Sequence, residues 1–429
     1  GFGFLTKMMQ AFLVLPGFAV AYGLAGHRPF RRRLADLLIA ASAVVVSGGW
    51  YLLLAELWPA SSRPYIGGSQ HDSIIELTLG YNGFGRLTGD EPGGLGNLNQ
   101  DAGWGRLFDT GMGLDIAWLL PAAVICLVAG LVLTRRAPRT DQTRAALILW
   151  GGWLAVTAVV FSFANGIVHP YYTVALAPAI GACIGIGAML LWRHRSDVRA
   201  ATAMSGAVLV TAILAAVLLS RSAEWMPWLR ALVAVGGVGA AALLLVSGKL
   251  TQAVALPAGL AIVACLAGPA AYSVATAATP HTGAIPTVGV PRHGPSGFSM
   301  PGGLLDSPKP GPALSAMLAN GAKDFTWVAA TVGSSNAAGY QLAGGAPVMA
   351  VGGFNGTDPT PTLEQFKRYV STGRIHYFIR GPMTIGHWGP STGGSQQAAD
   401  IAEWVENHYS PLIVARVVVY DLTSAPRNS

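Results

Sequence analysis

The sequence predicts a polytopic α-helical membrane protein, about eight helices across a bilayer, with a C-terminal extracytoplasmic α/β domain. Three observations carry this. Only 11% of the residues are charged against 52% hydrophobic, and the mean hydropathy is +0.47, whereas a soluble domain carries roughly 25% charged residues. Eight apolar runs are each long enough, at ~17–25 residues, to cross ~30 Å of hydrocarbon. From residue 311 onward, short apolar runs alternate with helix-like stretches, the pattern of a sheet with crossover helices.

The runs fall at about 8–26, 34–57, 114–134, 145–164, 172–192, 201–220, 228–247 and 253–273. Backbone groups in lipid must be satisfied within their own segment, so the runs are read as helices. Lys and Arg in short loops set the orientation. Arg28, Arg31, Arg32 and Arg33 follow the first run. Arg135, Arg136, Arg139 and Arg144 follow the third, Arg193, Arg195 and Arg199 the fifth, and Lys249 the seventh. These loops share one side, expected to be cytoplasmic. The loops at 58–113, 165–171 and 221–227 are poorer in basic residues and lie opposite, with everything after residue 273. The expected location is the plasma membrane, multi-pass, with the C-terminal domain outside.

The transmembrane domain is thus 1–273, and it includes the long outer loop 58–113. Loops of that length are usually functional or disordered. Its segment 73–80, SIIELTLG, reads as a short amphipathic helix at the interface. Residues 274–310 are rich in Pro, Gly, Ser and Thr and read as a linker. The domain 311–429 places strands at 325–332, 347–352, 374–380 and 412–422, with helices at 311–322, 336–343, 361–371 and 393–408. The helices between the strands imply a parallel sheet. Thr360, Pro361, Thr362 and Glu364 supply helix-start signals.

The formal charge of +7 sits mostly in the short loops. No basic helix or aromatic-basic platform accompanies it, so nucleic acid is not an expected partner. Cys126, Cys183 and Cys265 lie in apolar runs without a CxxC pair. They read as small apolar residues of helix interfaces rather than as a disulfide framework or zinc site.

Several polar clusters interrupt this pattern. HPYY, His169–Tyr172, opens the fifth run. Its plain reading is an interfacial aromatic belt. Its functional reading is a set of donors for a phosphate or sugar headgroup. Lys7 either snorkels from a helix end or meets a phosphate as a point charge. In the outer loop, RPYIGGSQHDS and GYNGFGRLTG supply Arg63, Tyr65, His71, Asp72, Tyr81, Asn82 and Arg86 as loop contacts. Arg suits bidentate phosphate contact, and the glycines allow close backbone approach. His71–Asp72 reads as a surface or hydrogen-bonding pair, since no second His or carboxylate stands at metal-ligand spacing. GGFNGTDPTPTLEQF, Gly352–Phe366, is a glycine turn between strand and helix, a place where α/β domains bind ligands and also an ordinary connection. Asn355–Thr357 matches a glycosylation sequon, a frequent chance match. No GxSxG and no dinucleotide fingerprint is present.

Taken in order, GFGFLTKMMQAFLVLPGFAVAY, RPYIGGSQHDSIIELTLGYNGFGRLTG, HPYYTVALAPAIGA and VMAVGGFNGTDPTPTLEQF resemble the actinobacterial branch of the polytopic lipid-dependent glycosyltransferases. These are similar to the protein O-mannosyltransferases and lipid A aminoarabinose transferases, which share the GT-C fold. The resemblance runs over most of the chain and is more specific in the order of its pieces than in any one motif. It implies transfer of a sugar, hexosyl or pentosyl, from a polyprenyl-phosphate sugar donor to an extracytoplasmic acceptor: a cell-envelope glycan, lipid or protein. It implies donor contacts at Lys7, which matches the family's TK segment, and at His169, Tyr171 and Tyr172, with Arg63 and Tyr65 reaching down from the loop. Membrane lipids would surround the polyprenyl tail. The family's general base is an acidic residue in its first outer loop. The resemblance places that loop upstream of Gly1, so no catalytic carboxylate is assigned and this chain reads as the C-terminal part of such an enzyme. A divalent cation is compatible with phosphate chemistry but no ligand spacing calls for one. Two other classes stay open: a lipid-linked sugar transporter, disfavoured because Asp36 and Asp115 lie near span ends rather than at mid-membrane, and a non-catalytic scaffold or binding subunit.

Overall fold

The computed structural model describes residues 1–91, 93, 101–222, 224–249, 255–280, 285–289, 305, 307–381 and 393–427. Among them, eight helices are long and apolar enough to cross a membrane: Phe2–Ala25, Phe30–Leu57, Gly113–Leu133, Gln142–Phe163, Pro170–Arg193, Val198–Ser220, Pro227–Val246 and Ala255–Ala278. The protein is a polytopic membrane protein with a small C-terminal α/β domain. The eighth helix runs into the expected linker as far as Ala278, and most of the rest of 274–310 lies outside the described residues. The chain divides into two compact units. One comprises Gly1–Gly49, Asn99–Thr282 and Pro286–Arg292; the other comprises Trp50–Leu98, Gly283–Ile285 and His293–Ser429.

In the first unit the third span is central. Its residues Ile116, Leu120 and Ala123 pack with Leu154 and Phe161 of the fourth span and with Leu176, Ile180 and Cys183 of the fifth. Its Leu114, Ala117 and Trp118 pack with Ala212 and Ala215 of the sixth, Val233 of the seventh and Tyr272 of the eighth. Without a hydrophobic force between helices in lipid, close backbone approach at small residues drives such packing. A Cβ on Gly17 would stand 2.6 Å from the Leu149 carbonyl oxygen, and one on Gly152 would stand 2.7 Å from Gly17 Cα. The first and fourth spans therefore touch backbone to backbone. A Cβ on Gly187 would collide with the carbonyl of Cys126. Cys126 is 4% exposed and Cys183 is fully buried, so both are interface residues. Arginines close the helix ends. Arg139 Nη1 donates to Leu24 O at 2.9 Å and Gly26 O at 2.7 Å, placing a cation where orphan carbonyls gather.

The second unit is built on a five-stranded sheet. Its strands are β1 (Trp327–Val332), β2 (Val348–Val351), β3 (Ile375–Ile379), β4 (Pro411–Val414) and β5 (Val417–Asp421), in the order β2-β1-β3-β5-β4. β1 is parallel to β2 and β3, with Ala329 opposite Val348 on one side and Tyr377 on the other. β5 is antiparallel to β3, with Phe378 opposite Tyr420. The all-parallel expectation is thereby corrected: the sheet is mixed. The expected single strand at 412–422 is a hairpin, β4–β5, turning at Ala415 and Arg416, both at positive φ (48° and 70°). Two positive φ values are what a tight hairpin turn requires, and Asn-Gly usually signals it. Ala-Arg gives no such signal.

Helices cover both faces. Phe366, Phe378, Ile401 and Val405 fill one side, against helices Leu363–Ser371 and Gln397–His408. Leu314, Leu318, Ala337 and Tyr340 fill the other, from helices Pro312–Ala319 and Ser334–Gly344. The helix after β2 starts with a capping box: the Thr362 side chain accepts from Gln365 N, and the Gln365 side chain accepts from Thr362 N. Gln365, rather than Glu364, closes the helix start.

Candidate functional site

The first span is not one continuous α-helix. Phe2–Lys7 is α-helical, Met8–Val14 is 3₁₀, and the α-helix resumes at Leu15. At the joint Lys7 has φ −143° and Met8 has φ 44°, a backbone state sparsely populated by non-glycine residues. Phe4 and Phe12 stack across the joint with ring centroids 5.3 Å apart. Irregular backbone inside a span is tolerated where it is buried in protein or lines a cavity, and 3₁₀ stretches within helices often mark function.

The fifth span opens the same way, as a 3₁₀ turn at Pro170–Leu176 before the α-helix Ala177–Arg193. Pro170 suits a first turn because its missing N–H would be unsatisfied there anyway. Thr173 Oγ1 donates to Pro170 O at 2.6 Å, and Trp153 Nε1 of the fourth span donates to Ala175 O at 2.9 Å, so the turn is held from inside and outside. At three residues per turn, positions i and i+3 eclipse. His169 and Tyr172 are so spaced, and their rings meet edge to face at 5.3 Å. Tyr171 stacks on His169 at 5.5 Å and meets Tyr172 edge to face at 4.8 Å.

Lys7 joins this cluster. Its Nζ lies 4.3 Å from the Tyr172 ring centroid and 5.9 Å from that of Tyr171, within cation–π range. Lys7 is exposed while His169, Tyr171 and Tyr172 are half-buried. The structure thus brings four of the sequence-selected residues together at the beginnings of two odd-numbered spans. One ammonium, two phenols and an imidazole there can donate hydrogen bonds to an anion.

The remaining selected residues lie in the second unit. Arg63 is 12% exposed at its side chain. Its Nη1 donates to Asp72 Oδ1 at 2.7 Å, its Nη2 to Asp72 O at 2.6 Å and its Nε to Trp58 O at 3.2 Å. Asp72 also accepts from Ile66 N at 2.8 Å, and its φ of 55° marks the bend. Arg63 therefore folds its own loop. His71 is turned away from Asp72. It is exposed, with Nδ1 3.2 Å from Glu76 Oε2. The short helix expected at 73–80 is Ile74–Leu79, capped by Ser73, whose side chain accepts from Glu76 N. Asn82 sits in the π-helical turn Gly80–Phe84. Arg86 lies 4.3 Å over the Tyr81 ring and pairs with Glu91 at 3.2 Å.

Sequence reading missed how this loop meets the tail's glycine turn. Gly68 N donates to Asp358 Oδ2 at 3.0 Å, and Gln70 Nε2 donates to Thr357 O at 3.3 Å. Asn355 Nδ2 and Thr357 Oγ1 donate to Gly93 O at 2.6 and 2.7 Å. Gly352–Phe366 thus serves as a docking turn, and its sequon Asn355, 8% exposed, is engaged inside it. No local signal announces contacts at such separation. Burial raises the Asp358 carboxyl to about 6, with the Gly68 N–H opposing the rise. Tyr65, donating to Ser69 O at 2.7 Å, is raised by burial to about 12 and remains a neutral donor. Arg106, in the first unit, was also missed. It is 2% exposed and donates to Ala164 O at 2.6 Å and Phe161 O at 3.3 Å, beyond the end of the fourth span. Burial lowers its pKa from the ordinary value. Among the described residues no three His, Cys, Asp or Glu side chains gather as a metal site.

Residues 314–408 match the family described as "Putative mannosyltransferase YkcB-like, C-terminal". The chain is similar to two Bacillus subtilis (strain 168) proteins. It is 27% identical to "Putative mannosyltransferase YkcB" over 95% of this chain and 68% of that one. It is 27% identical to "Putative mannosyltransferase YycA" over 90% of this chain and 68% of that one. No solved structure matches it.

Proposed function

We propose that the protein is a membrane glycosyltransferase of the GT-C kind that moves a sugar, mannose or a related hexose or pentose, from a polyprenyl-phosphate donor to an extracytoplasmic acceptor. The observation that carries this reading is Lys7, at the broken joint of the first span, over Tyr172 and beside His169 and Tyr171. The names of the two relatives support the reaction class. The basic loops, which alternate onto one side, support a plasma-membrane topology with this cluster and the tail outside.

In the reaction, the acceptor hydroxyl oxygen attacks the anomeric carbon, the bond from that carbon to the phosphate oxygen breaks, and polyprenyl phosphate leaves with the bonding pair. The acceptor proton passes to a base; no carboxylate of this chain is assigned that role. Charge grows on the leaving phosphate. Lys7 and the tyrosine hydroxyls stand ready to stabilise it, and preorganised donors of this kind contribute about 10²–10³ in rate each. Arg63 and Tyr65 enter the reading through the loop fold they hold.

The test is the full-length protein, purified into proteoliposomes, with polyprenyl-phosphate [¹⁴C]mannose and cell-envelope extract as acceptor. The reading expects label in a new glycosidic product. Label that only crosses the bilayer, still lipid-linked, would identify a transporter, and donor binding without either would identify a scaffold.

A further inference from the structure

The tail domain has a feature that the donor cluster does not use. The chain leaves β1 for β2 on one side and returns through β2 to β3 on the other, because β1 lies between them. The C-terminal ends of β1 and β3 therefore border a topological switch point, where the connections diverge and open α/β sheets take their ligands.

Three residues meet there. Thr331 is fully buried in β1, and Asn336 is 1% exposed in the first turn of helix Ser334–Gly344. Gly381 stands just past β3. A Cβ on Gly381 would lie 3.0 Å from Asn336 Nδ2 and 3.3 Å from Thr331 Oγ1, so both polar tips reach the backbone leaving β3. Asn336 Nδ2 donates to Val332 O at 2.9 Å. A carbonyl can only accept, so this bond fixes the amide and leaves Oδ1 as an acceptor. Asn336 Oδ1 and Thr331 Oγ1 are both buried, and neither has a hydrogen-bond partner among the described residues. Leaving such groups unmet is costly, and each one in a native structure calls for an explanation.

We infer that the β1–β3 switch point, at Thr331, Asn336 and Gly381, is a binding site for a neutral sugar ring. The two open groups define the chemistry. Asn336 Oδ1 needs a donor, and the Thr331 hydroxyl can donate or accept. A sugar hydroxyl meets both. A phosphate suits them less, because its unprotonated oxygens can only accept and would face Oδ1 with another acceptor. The nearest basic residue along the strand, Arg380, has its Nε 3.1 Å from Glu406 Oε1. A Cβ at Gly381 would crowd both polar tips, so only glycine lets the backbone leaving β3 come this close to them. The inference stands on the tail's own geometry and does not rest on the transfer reading.

The test is saturation-transfer NMR on the full chain in nanodiscs, with methyl α-D-mannopyranoside and methyl α-D-glucopyranoside as separate probes and inorganic phosphate added as a competitor. The expected result is transfer to at least one glycoside that phosphate does not displace. Thr331→Val should weaken that binding about tenfold, the equivalent of one hydrogen bond to a buried group. Its melting temperature should not fall, since it removes a polar group that has no partner among the described residues. Gly381→Ala should abolish the signal by pressing on the Asn336 and Thr331 tips, and Lys7→Met should leave it intact. Signal that persists unchanged in Thr331→Val and Gly381→Ala, displacement of the glycoside by phosphate, or no signal from either glycoside would overturn the inference. A drop in melting temperature for Thr331→Val would also count against it, as it would show the hydroxyl bonded within the fold.

Discussion

Lys7 and Tyr172, one in the first span and one in the fifth, meet as a cation over a ring, with Nζ 4.3 Å from the centroid. The ring holds the ammonium in the cluster that Tyr171 and His169 complete. A ring without the hydroxyl keeps the cation–π contact, and a side chain without the ring loses it. Tyr172→Phe is therefore expected to weaken polyprenyl-phosphate binding less than Tyr172→Leu. The leucine variant should lose a contact of about 1–2 kcal/mol, or roughly 5- to 30-fold in affinity. Titration of donor lipid into the two variants in nanodiscs checks the order, and equal losses would contradict it.

The position of Lys7 depends on how the first span packs. Gly17 touches Leu149 and Gly152 through backbone alone, so a larger side chain must push the spans apart. Gly17→Val is expected to lower the melting temperature, and also donor affinity, although residue 17 lies away from the cluster. A Gly17→Val protein as stable as the parent would mean that the close approach carries no packing energy.

Asp358 makes the docking of the outer loop on the tail pH-dependent. Burial in the folded unit raises its carboxyl from 3.8 to about 6, so the docked state binds the proton more tightly than a state in which docking is lost and Asp358 meets water. Docking is then strongest below pH ~4, weakens as the pH rises through ~6, and is flat above that. Hydrogen-exchange protection factors at residues 66–70, corrected for intrinsic rates, should rise on acidification from pH 7 to pH 4. Asp358→Asn keeps an acceptor for Gly68 N–H and should flatten the profile. A slope that survives in Asp358→Asn would assign the effect to another group.

Arg63 and Asp72 form a pair that folds the loop. Removing one partner leaves the other partly buried with only its backbone partners, Ile66 N for Asp72 and the Trp58 and Asp72 carbonyls for Arg63, at a cost of about 1–2 kcal/mol. Arg63→Ala and Asp72→Ala should each speed proteolysis of the loop, and the double variant should lose less than the sum of the two. Additive losses would show that the two side chains act independently.

The spans were legible in the sequence because lipid leaves the backbone few choices, and alternate basic loops fixed which ends lie together. That pairing of ends placed Lys7 and HPYY on one side, although nothing in either motif showed that the rings and the ammonium touch. The break at Met8 gave no signal, since a positive φ at methionine has no composition cue. In the tail, helix and strand alternation was readable because each strand is bounded by turn residues. The β4–β5 hairpin was hidden by Ala415 and Arg416, and with it the antiparallel edge. The docking of Gly68 and Gly93 on the 355–358 turn was also hidden, because glycine carbonyls and amides carry no side chain to read.

The most direct test of the central claim is donor binding to the parent protein and to Lys7→Met in nanodiscs, followed by native mass spectrometry with polyprenyl phosphate and with the same polyprenol lacking phosphate. The account predicts that the parent retains the phosphorylated lipid in preference to the alcohol. It also predicts that Lys7→Met loses that preference by about tenfold or more, as expected for a charge-assisted contact. Equal retention of the two lipids by the parent, or an unchanged preference in Lys7→Met, would contradict the assignment of this cluster to a lipid phosphate.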